Sequence, residues 1–120
     1  MTLLQEIKSD LYRYNGKKSF SEFFKNFFLN RGFKIMLLFR IAKKLNKIPF
    51  IGFVIHLYYK RICNRYTIDI PIKTNIGYGI YIGHPFSIAI SRDCIIGNNV
   101  NISHNATLGF KHGGDKQGSP

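Results

Sequence analysis

IPIKTNIGYGIYIGHPFSIAISRDCIIGNNVNISHNATLG, the stretch from Ile70 to Gly109, repeats with a period of six. Ile70, Ile76, Ile82, Ile90, Ile96, Ile102 and Leu108 are each followed by a small residue, and the interval is six at every step except Ile82 to Ile90, which is eight. A second column lies four residues after each aliphatic: Thr74, Ile80, Phe86, Cys94, Val100 and Ala106, mostly apolar. An amphipathic helix would repeat every 3.6 residues and a half-buried strand every two. Two columns locked six apart specify instead a parallel β-helix, whose short strands each bury one face only by stacking on the next coil.

The same residues carry a family likeness. Asp69-Ile70 opens the repeat, followed by Ile76-Gly77-Tyr78-Gly79-Ile80, Gly83-His84, Ile88-Ala89-Ile90, Val100-Asn101-Ile102 and Ala106-Thr107-Leu108-Gly109, with Gly113-Gly114-Asp115 beyond. This run resembles the serine O-acetyltransferase branch of the hexapeptide-repeat acyltransferases. The likeness covers roughly the last 50 residues, with a vaguer helical likeness before them. It implies a left-handed β-helix with three hexapeptides per triangular coil, assembled as trimers or pairs of trimers, with acetyl-CoA as co-substrate; the sequence itself shows no metal-ligand spacing, so no metal is expected. The left hand comes from the resemblance alone, since parallel crossovers are usually right-handed.

Outward from the repeat, the charge is uneven. The chain has 120 residues and a net charge of +12. Residues 1–66 hold fourteen Lys/Arg against three Asp/Glu, +11, and residues 67–120 hold four against three, +1. A basic front half calls for an anionic partner: membrane headgroups, a phosphorylated substrate or nucleic acid. No helix-turn-helix, RRM or finger pattern accompanies the charge, so nucleic acid is not expected. Cys63 and Cys94 are too few and too scattered for a disulfide framework, which fits a reducing compartment. Met1-Thr2-Leu3-Leu4 runs straight into Glu6, Lys8 and Asp10, which is not a signal-peptide pattern. The longest charge-free apolar stretch of the front half, Ile48–Tyr59, falls short of the roughly 20 residues a membrane-spanning helix needs.

The front half reads as helices. Thr2 can cap a helix through about Tyr12, which Asn15-Gly16 ends. Phe20, Phe23, Phe24, Phe27 and Phe28 form a helical stripe after Ser19 or Ser21. Its plain reading is a core between helices and subunits; its sharper reading is insertion into a membrane interface beside Lys and Arg. A third helix turns Ile35, Leu38, Phe39, Ala42 and Leu45 inward, counts Arg40, Lys43 and Lys47 among its polar positions, and closes at Pro49. A fourth runs from about Phe50 to Tyr66. The expected class is α+β: a basic, aromatic-rich helical region, residues 1–66, then a hexapeptide β-helix, residues 67–120, that is incomplete in this chain.

His84 is the leading catalytic candidate. It lies two residues after Ile82, at a coil corner, and acyl transfer to a hydroxyl needs a base that is neutral near pH 7. The resemblance places His84 at the catalytic histidine, and Asp69 at the aspartate that orients it. His104 also follows an aliphatic by two, one full coil after His84 when the inserted pair is counted, so the imidazoles should stack about 4.8 Å apart at the backbone. Two protonated rings so close repel, which favours a neutral base; His104 is alternatively a contact for the acceptor or the thioester carbonyl, or purely structural. Gly113, Gly114 and Asp115 match a loop that lies over the family's active site, the glycines beside the co-substrate.

Two positions depart from the family. Gly83 stands where an aspartate receives the serine ammonium, and Lys116 stands where an arginine holds the serine carboxylate without offering the same bidentate fork. These departures favour a sugar hydroxyl of surface polysaccharide synthesis over L-serine. The expectation is thus an acetyl-CoA-dependent O-acetyltransferase, homotrimeric and cytoplasmic, peripheral at the inner face of the membrane through its basic aromatic helices. L-Serine is the alternative acceptor. A non-catalytic truncated fragment is the alternative from another class, because the sequence stops at Pro120 within the active-site loop.

Overall fold

Four helices lead into short parallel strands in this computed structural model, which describes residues 1–110, 112–114 and 117–120. The helices are α1 (Leu3–Asn15), α2 (Phe20–Leu29), α3 (Arg31–Leu45) and α4 (Pro49–Arg65). The strands are β1 (Ile68–Asp69), β2 (Asn75–Ile76), β3 (Tyr81–Ile82), β4 (Ile88–Ile90), β5 (Ile95–Ile96), β6 (Asn101–Ile102) and β7 (Thr107–Leu108). They stack as three parallel walls, β1-β4-β7, β2-β5 and β3-β6. The walls form a left-handed β-helix of two coils and the start of a third.

Register locates the insertion. Ile68 pairs with Ile88 and Ile82 with Ile102, an offset of 20, whereas Ala89 pairs with Thr107 and Ile90 with Leu108, an offset of 18. The first coil therefore holds the two extra residues. The aliphatic column points inward along its length, from Ile70 to Ile102 buried and Leu108 partly so. The second column is corrected in one place. Ile88, fully buried, stacks between Ile68 and the coil above, while Phe86 is pushed out and exposed. The inserted pair precedes Ile88, so the inward position passes from Phe86 to Ile88.

Corners turn through left-handed residues. Thr67, Ser87 and Asn105 have φ of 55°, 53° and 57° and sit one above another; Gly79 and Asn99, at 70° and 57°, do the same at a second corner. Such φ is costly for most side chains, and for Thr67 the compensation is local: Ser87 N donates to Thr67 Oγ1 at 3.0 Å.

The helices close the lower end of the prism. Without them the first coil would expose the unpaired carbonyl and N–H groups of an edge. Asp10 and Arg40 are both buried and paired at 2.6 Å; Asp10 Oδ1 accepts from Ile80 N at 2.8 Å, and Arg40 donates to the Gly77 carbonyl at 2.6 Å. Tyr59 donates to the Ile70 carbonyl at 2.6 Å, Lys43 to that of Thr74 at 2.7 Å, and Arg13 to that of Gly79 at 2.9 Å. Arg40 is therefore not a solvent-facing position of α3, because an edge carbonyl and a buried carboxylate both claim it.

Local signals set the helix ends. Thr2 forms a capping box with Gln5, Gly16 ends α1 in the left-handed region at φ 73°, and Ser19 caps α2. Pro49 opens α4 at its first turn; it does not close α3, which ends at Leu45. The Phe stripe is split. Phe23 and Phe27 pack on Leu11, Phe33 and Leu37, whereas Phe20, Phe24 and Phe28 are exposed. No helix among the described residues is long and apolar enough to cross a membrane.

Candidate active site

The inserted residues build the site. Between β3 and β4 the chain must accommodate Gly83 to Ser87, and it turns back sharply, with Phe86 N donating to the His84 carbonyl at 3.0 Å. This brings three rings together at one exposed corner. His84 and His104 lie 5.5 Å apart, edge to face, as the offset of 20 requires. Phe86 stacks on His104 at 5.0 Å and 27°, and meets His84 at 6.5 Å. A groove of about 230 Å³ runs past them, bounded by Tyr81, Gly83, His84, Asn101 and His104. It offers two imidazoles, an amide side chain and a phenol within one opening, enough to accept a proton from a hydroxyl and to orient that hydroxyl by neutral hydrogen bonds.

The helical cap holds this corner from below. Gly32, at the start of α3, lies so close to the Ile82 carbonyl that a Cβ there would sit 2.0 Å from the oxygen. Tyr14 of α1 reaches the same peptide: its hydroxyl lies 3.4 Å from both the N–H and the carbonyl of Ile82. Burial pushes the Tyr14 phenol well above its ordinary range, so it stays protonated and donates. Tyr14 also packs on Tyr81 at 4.8 Å, and Tyr81 forms one side of the groove. Only Gly83 separates Ile82 from His84, so α1 and α3 set the height of the histidine.

The other expected residues are dispersed. Asp69 is on the outer face of β1, its carboxylate 4.0 Å from Lys60 Nζ, and among the described residues it makes no hydrogen bond to His84. The expected orienting contact is thus not formed here. The alternation of β1 turns Ile68 inward and Asp69 out to solvent, where it pairs with Lys60 of α4. Gly113 and Gly114 are exposed and left-handed at φ 75° and 78°. Among the described residues nothing lies within 4 Å of where a Gly113 side chain would begin. Asp115 and Lys116 lie outside the described residues. Among those described, no cluster of three His, Cys, Asp or Glu could hold a metal.

Cys94 is buried in the inward column, and Cys63 is buried beside Tyr59, where burial raises its thiol to about 11. Neither is poised as a nucleophile. Sequence reasoning did not identify Gly32, Tyr14, Tyr81 or the placement of Phe86. The eight-residue step was the one local sign that the chain bulges beside His84.

Gly83 has a neighbour that bears on the acceptor. A side chain there would begin 3.2–3.3 Å from the ring of Tyr81, so an aspartate would crowd that phenol.

Comparison with known proteins agrees with this architecture. No protein-family model matches the chain. Two curated proteins of Arabidopsis thaliana do: mitochondrial serine acetyltransferase 3, 38% identical over 53 residues, and serine acetyltransferase 5, 37% identical over 51. These matches cover 44% and 42% of this chain but only 14% and 16% of the relatives. Among solved structures, soybean serine acetyltransferase is 30% identical with a TM-score of 0.70 over 96% of this chain and 48% of that one. The Neisseria gonorrhoeae serine acetyltransferase, at 23% identity and a TM-score of 0.70, supports the fold alone. The chain thus spans about half the length of these solved structures. In fold and over part of its sequence, the chain is a left-handed hexapeptide-repeat chain that resembles the serine acetyltransferases.

Proposed function

We propose that the protein transfers an acetyl group from acetyl-CoA to a hydroxyl, and that the hydroxyl is that of L-serine. The observation that carries this reading is the likeness of the chain to serine acetyltransferases of Arabidopsis and soybean. A soybean structure of similar likeness, 30% identical, is a complex with serine. His84 acts as general base. It takes the hydroxyl proton as the oxygen attacks the thioester carbonyl; the C–O bond forms, the C–S bond breaks, and the proton passes to the departing thiolate. His104, 5.5 Å away, contacts the acceptor or the carbonyl oxygen, and Phe86 fixes its ring. Asp69 reaches His84 only after leaving Lys60. Gly113, Gly114, Asp115 and Lys116 approach the co-substrate and the acceptor from the loop. A homotrimer, in which a neighbour closes the open groove, belongs to this reading, as does a cytoplasmic location, peripheral at the inner membrane face.

The relatives do not support the expected sugar acceptor; those above are all serine acetyltransferases. One observation still favours it as a second reading. Gly83 supplies no carboxylate for an ammonium, and a side chain begun there would press on the Tyr81 side chain at 3.2 Å. The test is acetyl transfer from acetyl-CoA to L-serine and to nucleotide- or lipid-linked sugars, read by product mass. O-acetylserine is the expected product. Transfer to sugars alone would install the second reading, and no transfer to any acceptor would end both.

A further inference from the structure

Residues 23–68 contain ten Lys/Arg and neither Asp nor Glu. The acyl-transfer site uses none of these cations. Helix α4 buries Gly52, Tyr59 and Cys63 on one side. The opposite side carries Phe50, Val54 and Leu57 in helical succession, all exposed, and then Arg61 and Arg65. Phe50 is 77% exposed and Phe53 63%, in a helix of 17 residues. The apolar run thus ends in cations, and the helix is too short to span a bilayer but suited to lie in its interface.

A cleft of about 330 Å³ opens at the cationic end of α4, where the end of α2 and the start of α3 meet it. Arg31, Lys34 and Arg65 bound it. Arg31 rests over the ring of Tyr66 at 4.7 Å and Lys34 over that of Phe27 at 5.2 Å. Among the described residues none of the three is paired with a carboxylate. Phe28 and Leu29, also exposed, stand at its rim. Aromatic faces position these cations without neutralising them, leaving their N–H groups to a phosphate.

We propose that the outer face of α4 and the cleft at its end form a docking surface for an anionic lipid bilayer, the cleft receiving a lipid phosphate headgroup and Phe50, Val54 and Leu57 entering the acyl boundary. Charge decides among occupants. A second copy of this face would bring Arg31, Lys34, Arg61 and Arg65 against their own images, with no carboxylate in residues 23–68 to answer them. A nucleic acid would meet the cations but leave the aliphatic run in water. An anionic bilayer satisfies both. The inference deepens the membrane placement within the function proposed above; it needs no acetyl transfer, so either can fail alone.

Co-sedimentation of the 120-residue chain with vesicles tests it. Vesicles of equal phosphatidylglycerol and phosphatidylcholine should capture the chain, and vesicles of phosphatidylcholine alone should bind at least about tenfold less. Arg31→Gln/Lys34→Gln/Arg65→Gln should weaken capture by about a hundredfold, from the usual contribution of each basic residue near an anionic surface. Phe50→Ser/Leu57→Ser should weaken it by more than about tenfold, from the apolar area withdrawn. Both variants should keep the circular dichroism of the parent. If either misfolds, raising salt on the unaltered chain must release it from the vesicles. Equal binding to both vesicle types, or salt-insensitive binding, overturns the proposal. So does a dimer abolished by Phe50→Ser/Leu57→Ser with no vesicle capture, or tight binding to a phosphodiester polymer that the same variant leaves unchanged.

Discussion

Residues 70–108 bury aliphatic side chains on a fixed spacing, whereas the junction between the helices and the first coil buries a carboxylate and a guanidinium that no spacing announces. In the repeat, each residue's neighbours above and below are 20 or 18 positions away, so one local rule assigns inside and outside. At the junction, Asp10 meets Arg40 thirty residues on and Ile80 seventy residues on. The partners come from different elements, and their meeting is a property of how the helices seat on the prism. The repeat therefore supplies its own interior, while the seat depends on a few long-range polar contacts whose loss leaves buried groups unpaired.

The sharpest way to break this contrast is Arg40→Met. It leaves Asp10 buried, with the Gly77 carbonyl also losing its donor. Removing one partner of a buried pair costs roughly 3–5 kcal/mol. Chemical denaturation should register that loss, and Asp10→Asn/Arg40→Met should recover part of it, because the charge is then gone from both sides. If Arg40→Met costs no more than an exposed substitution such as Lys47→Met, the junction is not held by this pair.

Gly32→Ala should cost less, roughly 1–3 kcal/mol as an overpacked contact. Its readout is more pointed, because the Cβ would sit 2.0 Å from the Ile82 carbonyl and must shift the strand that leads to His84. Melting temperature and acetyl transfer should fall together. An unchanged melting temperature would show that α3 does not support this corner.

The fold was legible because the hexapeptide spacing is a local property. The columns, the three walls and the placement of His104 over His84 all follow from counting residues, including the two extra ones. The same counting misassigned Phe86, because a spacing locates an insertion only to within a few residues and the inward place passed to Ile88. Arg40 read as a surface position because a cation on a helix usually is one; its acceptors are a carboxylate on α1 and a carbonyl of the coil. Asp69 matched a family aspartate, yet its carboxylate pairs with Lys60 of α4, which no motif could indicate. Gly32 and Tyr14 serve the site only through the Ile82 peptide, so neither carries a chemical signature.

A smaller effect separates the two regions by pH. Cys63 and Tyr59 lie where α4 meets the first coil, and burial lifts the Cys63 thiol from an ordinary 9 to about 11. A raised folded-state value means that this contribution is fully present below pH 9 and is lost as pH climbs through about 11. Burial raises Tyr59 in the same direction. Denaturation midpoints should fall over that window by an amount worth about 2–3 kcal/mol, and Cys63→Ala should flatten the fall. A midpoint flat from pH 8 to pH 11 would contradict the burial of these groups.

The central claim is that the corner built by the inserted residues is where a hydroxyl is deprotonated, and the turnover of His84→Ala with acetyl-CoA and L-serine tests it most directly. The variant should retain the parent's melting temperature, since His84 is exposed, while kcat falls by about 10²–10⁴-fold. Near-parental turnover in His84→Ala, with activity abolished in His104→Ala instead, would contradict the assignment and move the base one coil upward.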